Sequence, residues 1–470
     1  MPQIYSVTNV PPEVLAYGMA KYSRSRRSLR QNLLELSEDK AAQFLNTFYF
    51  DYGHASIADL AHVALAVEDI SLLAAMEIVD EPLWDGQERS TRYQNFDHAP
   101  YYRPSDAKEF YDEATQELFA LYHSVLEESL DLQRSWYPKP EEMDAKAYER
   151  IIRARALDIA RYCLPLNALT SLGQITNART LEQQIARLLS SSLPEVQDIA
   201  LQMKAAVTEK PPVSIAPSTD ASHPAVPTLI KYAVADSYRQ ALRALLEPIA
   251  AQVAPSSMSS MAVDLIIDTD PLHAQIAQLL YPFGQASYRQ YLAYAASLSR
   301  SEQTDLLNDV FARRGPHDEW PAFMRQAPLT FDLTMDVGAF RDFNRHRRVY
   351  KSAQNLSLAM SYAIPAVLGG TSVQSRLTRH FAAYYERLAA YAVPPQHLPY
   401  LLPLAHKRRV LMRMDITEAA YIIELRSRSQ GHFSYRQLAW DMYQAIEQAQ
   451  PALARYIRVT PPDTFNPFQR

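Results

Sequence analysis

Apolar positions along this chain mostly recur three and four apart, the spacing of an amphipathic helix. Within residues 13–50, Leu33, Leu34 and Leu36, then Ala41, Ala42, Phe44 and Leu45, follow it. Helices are predicted over about 105–135 and 143–163, over about 228–250, through Leu279–Leu298 and Glu302–Arg313, and over 372–392. A long apolar stretch, ADLAHVALAVEDISLLAAMEIV, ends at Asp80-Glu81-Pro82, where Pro82 bars helix continuation. Thr180 and Gln183 make a capping box for a helix through Leu189. VDLIIDTD and the alternation APLTFDLTMDV read instead as strands. Residues 209–227, EKPPVSIAPSTDASHPAVP, form the Pro- and Ser-rich break of a linker or long loop.

The order of motifs occurs twice. Gly53-His54-Ala55-Ser56 answers Gly315-Pro316-His317-Asp318, and HAPYYRP (98–104) answers MSYAIP (360–365). ARYCLPLN (160–167) answers PYLLPLAH (399–406), and ITNARTLEQQIARLLSSSLPEVQDIA answers MDITEAAYIIELRSRSQGHFSYRQLA. The chain therefore reads as a diverged tandem duplication, with unit one about 1–255 and unit two about 256–470. Two such units are expected to pack as a pseudo-dimer. The expected fold class is α+β, helix-rich with a small sheet in each unit.

Composition narrows the function. With 48% apolar and 21% charged residues, the 470-residue chain is globular and long enough for several cores. A net charge of -5 argues against broad nucleic-acid binding but leaves room for a local basic pocket. One cysteine excludes a disulfide framework, and the opening MPQIYSVTNVPPEVLAYG has no leader character, so a cytoplasmic protein is expected. The most apolar run, around Ile70–Val79, is too short to span a bilayer. Neither GxGxxG nor GxxxxGK[ST] occurs, and no His/Cys/Asp spacing suggests a metal. Cys163, in the apolar setting YCLPL, reads as a small core residue and not as a nucleophile.

The densest positive cluster is Arg345-His346-Arg347, with Arg341 before it and Arg348 after. On a helix, Arg341, Arg345 and Arg348 would share one face. Guanidinium forks suit a phosphate or a planar pyrimidine edge. Taken alone, the tripeptide reads equally as a solvated basic face.

These motifs together resemble the flavin-dependent thymidylate synthases. That family carries an RHR tripeptide, an upstream GHxS/T, an NExSxRY-type loop after the RHR, and LPLN and NAR(S/T)L blocks downstream. Unit one matches with Gly53, His54 and Ser56, with Asp59 where the family has an acid, and with Gln87-Glu88-Arg89-Ser90-Thr91-Arg92-Tyr93. It also matches with Arg161 before Leu164-Pro165-Leu166-Asn167, with Asn177-Ala178-Arg179-Thr180-Leu181, and with Arg187 eight residues before Glu195. Ser23 resembles an early flavin-contacting serine. Unit one lacks the RHR, and Asp80-Glu81-Pro82 stand there. Unit two keeps Arg345-His346-Arg347 and Arg426, but its loop has become SAQNLS, Asp415-Ile416-Thr417 replace NAR, and Pro399 stands where Arg161 would be.

The losses are complementary, so the sequence permits one composite site. It would join Arg345, His346, Arg347 and Arg426 to Gln87, Glu88, Ser90, Arg92 and Arg161. The resemblance implies methylation of dUMP to dTMP with methylenetetrahydrofolate, NADPH and FAD. It further implies that Arg347 and Arg426 stabilise charge on the uracil edge, with Arg345, His346 and Ser90 in the catalytic group. Ser90, Arg92 and Arg161 would hold the phosphate, and Gln87, Glu88 and Arg187 would complete the substrate contacts. Ser23, His54, Ser56, Asp59, Asn177, Arg179 and His346 would meet FAD. A homodimer of the duplicated chain is expected. Two alternatives stay open: a non-catalytic nucleotide- or flavin-binding paralogue, and a flavin-dependent methylase of another uracil-like substrate.

Overall fold

The computed structural model describes residues 7, 10–22, 29, 55–94, 96, 100–210, 224–230, 233–237, 240, 262–266, 271–280, 288–312, 320, 328–464 and 468. Ser23 and His54 lie outside them, as do Gly53, Gly315-Pro316-His317-Asp318 and most of the predicted 13–50 and 228–250 helices. In chain order the elements are α1 (Pro12–Tyr22), β1 (His62–Ser71), α2 (Leu72–Val79), β2 (Asp85–Glu88), α3 (Glu109–Trp136) and α4 (Ala145–Ala160). Next come β3 (Leu169–Asn177), α5 (Ala178–Leu189), α6 (Pro194–Thr208), β4 (Val263–Ile266), α7 (Pro271–Leu280), α8 (Tyr288–Ser297) and α9 (Arg300–Phe311). The rest is β5 (Leu329–Asp336), α10 (Val337–Phe343), β6 (Tyr350–Ala353), α11 (Ser372–Ala390), α12 (Leu398–Leu401), β7 (Lys407–Met414), α13 (Ile416–Arg426), α14 (Phe433–Ala449) and α15 (Pro451–Ala454). The protein is helix-rich α+β with two small antiparallel sheets. No helix among the described residues is long and apolar enough to cross a membrane.

The chain forms two compact units that are not continuous in sequence. Unit 1 comprises residues 1–89, 100–105 and 168–256; unit 2 comprises 90–99, 106–167 and 257–470. Unit 1 holds the sheet β1-β3-β2, and unit 2 holds β4-β5-β7-β6. Apart from the added β4, the order is the same, and each first strand runs straight into a helix. The two sheets thus share the strand order that a duplication would leave.

In unit 1 the apolar stretch after Ala58 is split between β1 and α2. Ser71 makes the switch: its hydroxyl accepts from the Ala74 amide and donates to Glu195 Oε2 at 2.6 Å. Such a cap contributes about 1 kcal/mol. A bulge between Val67 and Ile70 places Asp69 at φ 54°, where an aspartate tolerates the left-handed region. The buried side of β3 is largely polar, with Thr170, Gln174 and Thr176. Gln174 is held by the Trp84 indole at 2.7 Å and donates to Gln184, which in turn donates to the Ile78 carbonyl. The predicted capping box at Thr180 is corrected. Asn177 caps α5 three residues earlier, accepting from the Thr180 amide at 2.8 Å.

In unit 2, β5 alternates as its sequence predicts. Leu329, Phe331, Leu333 and Met335 face inward, and outward Asp332 grips Arg409 of β7 with both oxygens. Leu164-Pro165-Leu166 and Leu402-Pro403-Leu404 pair antiparallel about Pro165 and Pro403. Leu166 donates to Leu402, and Leu404 donates to Leu164. The two copies of one motif thus hydrogen-bond each other through their backbones. Cys163 beside them is fully buried, and burial pushes its thiol up, as a core residue requires.

His406, at the end of the second copy, is fully buried with Nδ1 2.7 Å from the Tyr385 hydroxyl. Burial, then Arg408, pulls its pKa down to about 4. An unfolded histidine titrates near 6.5, so this contribution to stability is intact above that pH and is lost as pH falls towards 4. Denaturant unfolding at pH 7 and 4.5 should show the native chain losing about 2–3 kcal/mol more than His406→Gln. Equal losses would refute this account. Buried His346 and His432 are shifted the same way and steepen the acid limb in both proteins.

Candidate functional site

The RHR tripeptide is presented by a β-to-α junction. Asp336 ends β5, and its carboxylate accepts from the Ala339 amide at 2.8 Å, capping α10. The helix stops at Phe343, and Arg345-His346-Arg347 lie in the turn that follows. The single helical face expected for Arg341, Arg345 and Arg348 is therefore corrected. Arg341 is buried on α10 and donates to Thr91 at 3.2 Å, whereas Arg345 and Arg348 are exposed in the turn. The Lys351 ammonium pins the turn through the Asn344 carbonyl and side chain.

His346 is buried, and its Nε2 accepts from Arg426 Nε at 2.9 Å. Burial, then the charges of Arg426 and Lys351, holds it neutral, well below its ordinary pKa. An Nε2 that accepts leaves the ring proton on Nδ1, 3.8 Å from Glu418. Arg426 stands in the last turn of α13 and also donates to the Asp342 carbonyl at 2.7 Å.

The loop from the first half of the chain meets the same region of unit 2. Ser90 accepts from the Arg92 amide, which turns the chain. Arg92 donates to both oxygens of Asp158, at 2.8 and 3.3 Å, and to the Tyr435 hydroxyl at 3.1 Å. The Tyr435 ring, buried on α14, is flanked by two guanidinium groups. Arg92 lies 5.7 Å from its centroid and Arg426 5.4 Å. Each contact of this kind is worth about 0.5–2 kcal/mol. One aromatic ring therefore ties the SxRY loop to the arginine of the second repeat.

Arg161 follows α4 and is 2% exposed. Its Nε and Nη2 are buried without a hydrogen-bond partner. Burial lowers its pKa, while the nearby Asp342 and Asp336 carboxylates support its charge. A Cβ on Gly338 would stand 3.2 Å from Arg161 Nη2, so the glycine leaves the room this guanidinium occupies. Asp336 also accepts from the Tyr162 and Ser434 hydroxyls. Burial pushes its carboxyl up, and Ser434 and Arg161 oppose the shift. A dry guanidinium with two idle donors is a costly arrangement that an anion would satisfy.

Unit 1 repeats the scaffold with the chemistry reversed. Its carboxylate, Glu195, comes from α6 and its hydroxyl, Ser71, from the cap, whereas unit 2 places Asp336 at the cap and Ser434 on α14. Arg187 in the last turn of α5 sits 3.5 Å from Glu81, so an acid occupies the place where Arg426 meets His346. A cavity of about 400 Å³ there is lined by Asp80, Glu81, Gln183, Arg187 and Asp236.

Of the predicted site residues, Ser90, Arg92, Arg161, Arg345, His346, Arg347 and Arg426 fall in unit 2. Gln87 and Glu88 lie on β2 of unit 1, as do Asp59, Asn177, Arg179 and Arg187 elsewhere in that unit, together with Ser56, whose side chain is outside the described set. Arg179 pairs with Asp59 at 3.0 Å and remains about one-third exposed at the start of α5. A guanidinium at a helix N-terminus fits the diphosphate of a flavin dinucleotide. Sequence reasoning missed Asp158, Tyr435 and Ser434. Asp158 lies one turn before Arg161, and Ser434 follows Arg426 at the spacing of Glu195 after Arg187, so both left a signal. Tyr435 left none.

The sequence profile of the thymidylate synthase complementing protein family matches residues 6–213 and again 264–452. A UPF0159 protein of Chlamydia muridarum is 30% identical over 97% of this chain and 91% of its own length. One from Thermoplasma acidophilum is 24% identical over 94% of each. A flavin-dependent thymidylate synthase of Clostridium tetani is 26% identical over 40% of this chain and 79% of its own length.

Proposed function

Since this chain belongs to the thymidylate synthase complementing protein family, we propose that it is an FAD-dependent enzyme that methylates dUMP to dTMP with methylenetetrahydrofolate and NADPH. The observation that carries this reading is the Arg92–Tyr435–Arg426 stack beside the idle guanidinium of Arg161. Ser90, Arg92 and Arg161 hold the nucleotide phosphate. Arg426 and Arg347 face the uracil edge and stabilise the negative charge that makes C5 nucleophilic, as preorganised donors do in a dry pocket. Neutral His346, accepting from Arg426, keeps that guanidinium aimed without spending its charge. Arg179, Asn177 and Asp59 would hold FAD, and the chemistry it would supply is hydride for the methyl group.

The test is NADPH- and flavin-dependent dTMP formation by purified protein carrying a flavin absorbance band. Ser90→Ala and Arg345→Ala should each reduce it about tenfold or more, because each removes a contact from one half of the composite site. Full activity in either variant would dismantle that site. The second reading is a non-catalytic paralogue, favoured by the acid that Glu81 sets against Arg187 in unit 1. It requires that purified protein supplied with FAD, NADPH, methylenetetrahydrofolate and dUMP form no dTMP.

A further inference from the structure

Beside the Arg92–Asp158 pair, unit 2 contains a second and smaller cavity, of about 60 Å³. It is lined by Gln133, Tyr137, Arg155, Asp158, Ser429 and Arg436, among others. A cavity of this size has room for an oxyanion group. The lining carries two guanidinium groups and one carboxylate, and that carboxylate is already held at both oxygens by Arg92. The carbonyls of Ser427, Pro461 and Thr464 accept from Arg436 and orient its guanidinium. Half-buried Arg155 lies over the Tyr137 ring at 5.6 Å. Burial lowers the Arg155 pKa to about 10, and repulsion from Arg436 and Arg92 lowers it further in the same direction. It is still charged at neutral pH. Two guanidinium groups thus line the cavity, and the proposed chemistry uses neither Arg155 nor Arg436.

We propose that this cavity is an anion subsite, taking the terminal phosphate or carboxylate of a ligand that lies against Arg92. Planar guanidinium forks match both groups, and Gln133 and Ser429 add neutral polar partners. Only the identity of that ligand rests on the nucleotide reading above. Two sources share the chemistry: a second phosphate on a nucleotide, or a tail carboxylate on a folate.

Calorimetric titration of the full chain with inorganic pyrophosphate tests the subsite directly. Arg155→Gln should weaken pyrophosphate about tenfold, the loss expected for a charge-assisted contact, and leave dUMP within about twofold. Should that variant not fold, Ser429→Glu sets a carboxylate in the cavity and must weaken pyrophosphate equally. Comparing dUDP with dUMP, and triglutamyl with monoglutamyl tetrahydrofolate, separates the sources. The pair whose preference disappears in Arg155→Gln identifies the ligand. Pyrophosphate affinity unchanged by the substitutions, or no pyrophosphate binding by the native chain, overturns the subsite. Binding of pyrophosphate without dUMP would overturn the nucleotide reading and leave the subsite standing.

Discussion

Arg426→Ala is expected to lower kcat by about 10²–10³-fold, the usual loss when one preorganised donor is removed from developing charge. The effect should fall on kcat more than on KM, because the guanidinium faces the uracil edge in the proposed function and does not grip the phosphate. The fold should survive. The groups Arg426 leaves behind are a neutral imidazole, a backbone carbonyl and the partly exposed Asp342 carboxylate, 3.5 Å from Nη1. A second readout separates this role from a structural one. Arg426 is the leading charge that lowers the His346 pKa, so its removal should move that imidazole back up, visible by NMR. Activity within threefold of the native chain, with His346 unmoved, would exclude Arg426 from the site.

Arg92→Ala should cost about 3–5 kcal/mol of stability, besides weakening the nucleotide. Arg92 and Asp158 are 11% and 7% exposed, and deleting one partner of a buried pair strands the other charge. The double variant Arg92→Ala, Asp158→Ala should recover most of the stability and none of the nucleotide affinity. Denaturant midpoints and dUMP titrations on the three proteins read the two effects separately. If the single variant unfolds at the native midpoint, the pair carries no strain-free load. If the double variant binds dUMP normally, Arg92 is not a phosphate ligand.

Much was legible in the sequence because it is local. Periodicity predicted α3, α4, α9, α11, β4 and β5 to within a few residues, since burial on one face must repeat along a helix or strand. The repeated motif order predicted a duplication with a small sheet in each unit, and the two sheets share one strand order apart from β4. The residue types at Ser90–Tyr93, Arg161 and Arg345–Arg347 marked the two halves of the proposed site. Local rules also failed at two places. Thr180 and Gln183 satisfied the capping pattern, yet Asn177 took the cap because β3 ends there and the helix begins at once. The spacing of Arg341, Arg345 and Arg348 suggested one helical face, but α10 ends at Phe343 and divides them between the core and the surface.

By itself, then, the chain's sequence determined its family, its duplication, several of its helices and strands, and the kinds of charge available for chemistry. Tertiary structure decided which of those charges meet. Arg92 reaches Asp158 across 66 positions and Tyr435 across 343. No periodicity spans such separations, because side-chain pairing over them depends on how strands register and helices pack. The same packing seals Arg161 against Gly338 and leaves its Nε and Nη2 without a hydrogen-bond partner, which is the feature the proposed phosphate contact draws on.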